Sequence, residues 1–155
     1  MIINISIWLA ATVISAILYH ISGIGGWKGA KLLRRLGCSL IALVLYILLA
    51  GFKLSHIWAY VVFWGLNYGA LSSYMSELQE PKDDVNWFEW LITGFLYGIS
   101  AFPLCIASGK WIGFAIRTVI LTFGIMLIRE KFGSNEIEEL GSGALYTATM
   151  PLLLI

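Results

Sequence analysis

The stretch Ile112–Ile128, IGFAIRTVILTFGIMLI, is an apolar run broken by one charge, Arg117. A membrane-spanning helix needs about 20 mainly apolar residues. This run approaches that length, and five others in the chain resemble it. Arg117 stands six positions into the predicted helix, about 9 Å along the axis at ~1.5 Å per residue. A guanidinium that deep in lipid costs at least ~2–3 kcal/mol unless it finds a partner or reaches an interface. Two readings follow. The side chain turns inward and holds an anion, a phosphate or a lipid headgroup, with Asn67, Tyr68 or Tyr97 as inward partners. Or it snorkels to the outer interface, as long cationic side chains near helix ends do. No acidic residue lies mid-run, which argues against a proton relay through a buried ion pair.

Outward from this run, the remaining apolar segments are Ile2–His20, Leu32–Phe52, Ile57–Met75, Trp87–Ser108 and Leu140–Ile155. The first has no Lys or Arg before Lys28 and exceeds a typical signal-peptide core, so it is read as a retained helix. The last is short by about one turn. Asn135 as N-cap with Glu138 three residues on would lengthen it backwards, and five helices with a re-entrant tail is the alternative. The fold class expected is therefore all-α, a polytopic integral membrane bundle of about six transmembrane helices. Residues 1–155 form a single transmembrane domain, with halves 1–76 and 87–155 joined by an acidic loop, 77–86.

Composition agrees. Of 155 residues, 59% are hydrophobic and 12% charged, against roughly 45–50% and about 25% in soluble domains. Mean hydropathy is +0.85. A net charge of +1 provides no basic field for nucleic acid. Cys38 and Cys105 lie in apolar runs and form neither a CxxC nor a Cys/His cluster; they read as small core residues.

Lys/Arg bias sets the expected orientation. Loops one, three and five hold Lys28, Lys31, Arg34, Arg35, Lys82, Arg129 and Lys131; loops two and four hold only Lys53 and Lys110. The odd loops are thus expected in the cytoplasm and the N-terminus outside, in a plasma membrane or bacterial inner membrane. Trp27, Trp87 and Trp90 fall at predicted inner ends, Trp58 and Trp111 at outer ends, where indole rings favour the interface.

Two weak internal matches suggest a 3+3 inverted-topology repeat. Gly26-Trp27-Lys28 with Arg34 resembles Gly109-Lys110-Trp111 with Arg117, and Gly69–Met75 resembles Gly143–Met150. The two matches need different offsets, so a shorter second half is implied.

The residues expected to bind an anion or lipid phosphate are Arg117, Arg34, Arg35, Lys28 and Asn67. Arg34 and Arg35 follow a glycine-rich loop whose backbone N–H groups suit phosphate, although the P-loop pattern is absent. Asp83, Asp84 and Glu89 gather at a helix start, where acids favour the dipole; the alternative reading is a Mg²⁺ site. His20 and His56 fall at opposite membrane ends and make no metal pair. Gly65/Gly69 and Gly94/Gly98 are GxxxG pairs that favour close helix approach, and Pro103 is expected to kink its helix. The leading expectation is a transporter, channel or lipid-handling protein with an anion or phosphate-headgroup site. Its partners are membrane lipids, with a homo-oligomer plausible and no nucleic acid. The alternatives are an enzyme acting on lipid phosphate at the cytoplasmic leaflet with Mg²⁺ as cofactor, and a membrane structural or interaction protein without catalysis.

Overall fold

The computed structural model describes residues 2–24, 28–67, 87–132 and 143–155. Among these residues the chain is all-helical, with no strand. The helices are α1 (Ile2–Ile24), α2 (Lys28–Ala50), α3 (Ile57–Gly65), α4 (Trp87–Ile99), α5 (Phe102–Ser108) and α6 (Trp111–Phe132). A last helix, α7 (Gly143–Leu154), ends in a 3-10 turn over Met150–Leu154. Two helical stretches are long and apolar enough to cross a membrane. These are Trp87–Ser108, with 22 residues across α4 and α5, and Trp111–Lys131, with 21.

Many large apolar side chains lie on the surface as well as in the core. Along α6, Ile112, Ile116, Val119, Phe123 and Leu127 recur at helical spacing and are exposed, while Gly113, Arg117, Leu121 and Ile125 are buried. On α1, Ile2, Ile5, Leu9 and Val13 are exposed, whereas Ser15 is buried. Water would penalise such an apolar exterior by roughly 25 cal/mol for each Å² exposed; lipid does not. Buried hydroxyls bond back to the helix, as Thr93, Thr118 and Thr122 do to the carbonyls four residues earlier, or across it. Thr147 Oγ1 donates to Ser15 Oγ at 2.7 Å and ties α7 to α1.

The sequence expectation for Pro103 holds. The run from Trp87 breaks at Ser100–Ala101, and Pro103 opens α5, where its missing N–H cannot serve the Ile99 carbonyl. The chain reverses between α5 and α6 at Gly109. Its φ of +70° places it in the left-handed region, and its N–H donates to the Cys105 carbonyl at 2.8 Å. α6 therefore returns antiparallel along α4. Their contact is made by glycine: a Cβ on Gly94 would stand 2.5 Å from the Leu121 carbonyl oxygen, and one on Gly98 would stand 2.7 Å from Thr118 Cα. The other pair behaves differently. Among the described residues Gly65 has nothing within 4 Å of its Cβ direction, and Gly69 lies outside the described residues.

α2, α3, α5, α6 and α7 enclose the main core, including Leu45, Phe63, Leu104, Leu121, Met150 and Leu153. α1 packs on α2 and α3 on α5. α1 extends to Ile24, beyond the expected His20, and α2 starts at Lys28 rather than Leu32. The Asn135–Glu138 cap, Cys38's side chain, and the Gly26-Trp27 and Gly69–Met75 members of the repeat lie outside the described residues.

Candidate functional site

Arg117 lies on the buried face of α6 and is 0% exposed. Snorkelling would leave the guanidinium at a surface, so the inward orientation is the one adopted. The charged group stands over the Tyr146 ring, with Cζ 4.9 Å from the ring centroid. Nε, Nη1 and Nη2 make no well-aligned hydrogen bond among the described residues, although the Tyr146 hydroxyl lies near enough to interact with the guanidinium. A cation–π contact gives about 2 kcal/mol when desolvated, whereas a guanidinium carries five N–H donors, each costly to bury unmade. The ring therefore compensates only part of the burial.

Beside this cation sits a satisfied polar network. Tyr146 donates its hydroxyl proton to Asn67 Oδ1. Ser100 Oγ stands 3.1 Å from the same oxygen and 2.7 Å from the Tyr97 carbonyl, so its single proton is shared between two acceptors. Asn67 Nδ2 donates to the Phe63 carbonyl at 2.7 Å. The Tyr97 and Tyr146 rings meet edge to face at 5.6 Å. Each member comes from a different place in the fold: Asn67 just beyond α3, Tyr97 and Ser100 at the α4–α5 break, Arg117 on α6 and Tyr146 on α7. The helix break sets Ser100 at the level of Asn67.

The Asn67 oxygen holds the cluster in register. Asn67→Leu removes the acceptor of the buried Tyr146 hydroxyl, and an orphaned group costs about 1–3 kcal/mol, while Ser100 keeps the Tyr97 carbonyl. Thermal unfolding in detergent should show that loss, while Asn67→Asp, which keeps the acceptor, should unfold nearer the parent.

Of the residues expected from sequence, Arg117 and Asn67 are brought to one site, and Tyr97 reaches it through Tyr146. The side chains of Lys28, Arg34 and Arg35 lie outside the described residues, as do Asp83, Asp84 and Tyr68 entirely. Glu89 is half-buried on α4, and its Oε2 lacks a hydrogen bond. Among the described residues no three His, Cys, Asp or Glu side chains group as metal ligands. At this end of α4 and α6, Arg129 lies over the Trp90 ring, 3.5 Å from its centroid. Sequence reasoning missed Ser100 and Tyr146. The signal for both was the one that marked Asn67: a polar group in the middle of an apolar run.

No known protein family, curated protein or solved structure matches this chain.

Proposed function

We propose that the chain is a six-helix integral membrane protein that binds a small oxyanion or a phosphate headgroup at Arg117, and that it works as a transporter or channel for it. One observation carries this reading: a fully buried guanidinium whose three nitrogens lack a well-aligned hydrogen bond among the described residues. An anion supplies what the ring of Tyr146 does not, a bidentate acceptor for the planar N–H fork. The charge pattern of the chain supports it, since no acidic residue occurs from Met1 to Ser76 or from Trp90 to Arg129 to serve as an internal counter-ion. α1 and α2, with 23 residues each, reach roughly 34 Å, enough for a ~30 Å core. In this reading the odd loops are cytoplasmic and Arg117 is reached from outside.

The test is uptake into proteoliposomes under a gradient of inorganic phosphate, sulfate or chloride, each labelled in turn. The wild-type chain should give saturable uptake of at least one of them. Arg117→Gln should lower it more than tenfold, and Arg117→Lys, which keeps charge but not the fork, should fall between. Equal uptake by wild type and Arg117→Gln would overturn the proposal, as would the absence of saturable uptake in the wild type.

A further inference from the structure

A cavity of about 320 Å³ opens where α2 hands over to α3 and α5 to α6. Its polar lining is Lys53, His56, Lys110, Tyr46, Tyr60 and Ser108. Lys53 and Lys110 are the two cations of loops two and four, 57 positions apart in the sequence, and the fold collects them at one mouth. Among the described residues no acidic side chain lines it. The walls are fixed from several directions. α2 ends at Gly51, with φ of +85° and its N–H on the Ile47 carbonyl, which turns the chain toward Lys53. The Tyr60 hydroxyl accepts the Lys53 backbone N–H at 3.3 Å, which leaves its own proton to donate. The Tyr60 ring packs against Tyr46, Phe52 and His56.

We infer that this cavity is a second oxyanion site, a basic mouth that takes a phosphate-class anion at the outer end of the bundle. Two lysines, a histidine and three hydroxyl-bearing residues line it, with no acidic side chain among the described residues, and the volume holds about ten waters at ~30 Å³ each. That is room for a hydrated oxyanion or a phosphate headgroup, within the range of small-ligand pockets. The mouth and Arg117 share an end of the bundle: Lys110 immediately precedes α6, and Arg117 lies about 9 Å along that helix. The mouth's role as first stop toward Arg117 rests on the anion reading of that residue; its binding of an oxyanion stands on its own lining.

The experiment follows the His56 imidazole resonance in phosphatidylcholine nanodiscs, assigned by its loss in His56→Gln, during titration with inorganic phosphate. Saturable shifts are expected in the wild type and in Arg117→Gln alike. Lys53→Gln with Lys110→Gln, both exposed positions that should not disturb folding, should weaken the affinity roughly 10- to 100-fold. Adding phosphatidylglycerol separates the sources. Displacement of phosphate by the lipid makes the occupant a headgroup, and unchanged phosphate binding makes it a free anion. No saturable shift, or an affinity that the double variant leaves intact, overturns the inference. Phosphate-dependent behaviour lost in Arg117→Gln while His56 still responds points to two sites; a silent His56 beside an Arg117-dependent uptake removes the mouth alone.

Discussion

Arg117→Met should unfold at a higher temperature than the wild-type chain in anion-free detergent, and should lose all response to added anion. The two halves of this expectation come from one fact, that the guanidinium is buried and its donors make no well-aligned hydrogen bond among the described residues. Methionine keeps an unbranched apolar stem and drops the charged head. The chain then forfeits the cation–π contact with Tyr146, about 2 kcal/mol or more in a desolvated site, and escapes a larger desolvation cost. Replacement of buried charged groups by apolar ones of similar volume often stabilises by ~1–4 kcal/mol, so a net gain of about 1–2 kcal/mol is expected. In the wild type an anion bound at 100 times its dissociation constant adds about 2.7 kcal/mol. The two melting curves should therefore cross as phosphate, sulfate or chloride is raised. A destabilised Arg117→Met, with a wild type indifferent to every anion tried, would mean that the cation–π stack is the whole role of the residue.

Gly94→Val and Gly98→Val should separate α4 from α6. A Cβ at Gly94 meets backbone of the opposing helix, the Leu121 carbonyl oxygen at 2.5 Å and Thr122 Cα at 2.7 Å. Backbone atoms cannot rotate aside as a flexible side chain can, so the helices must move apart. Overpacking of this kind costs typically ~1–3 kcal/mol. Valine, which brings two further methyl groups into the same contact, should exceed Gly94→Ala. Gly65→Ala is the internal control. Among the described residues nothing lies within 4 Å of that position, and alanine in a helix interior is favoured over glycine by roughly 0.5–1 kcal/mol. Thermal unfolding of the four variants in one detergent gives the comparison. Equal midpoints for Gly94→Ala and Gly65→Ala would show that the α4–α6 approach is looser than described.

These contrasts mark what one sequence can and cannot carry. The long apolar runs and the break at Pro103 are local properties, set by run length and by a missing N–H, and they were legible. So was the depth of Arg117, which is arithmetic along a helix. Gly65/Gly69 and Gly94/Gly98 read alike because spacing says only that two glycines share a face, and not whether a neighbouring backbone is there. Tyr146 and Asn67 are 79 residues apart, and no periodicity within either helix pairs them. Lys53 and Lys110 served the sequence reading only as weak markers of orientation. Their convergence depends on where α2 and α5 end in space, which Gly51 and Gly109 set through backbone angles rather than through any pattern of polarity.

The antiparallel pair made by α4–α5 and α6 has a consequence for how the protein is made. Its contacts are close in sequence and turn on a single glycine, so this hairpin can assemble as it leaves the ribosome, with little loop to close. Tyr146 comes 29 residues after Arg117 in the chain, so the hairpin that carries the cation does not itself carry the ring that faces it. The burial of Arg117 is therefore completed by a later element, α7, which supplies Tyr146 and, through Asn67, ties it to the end of α3.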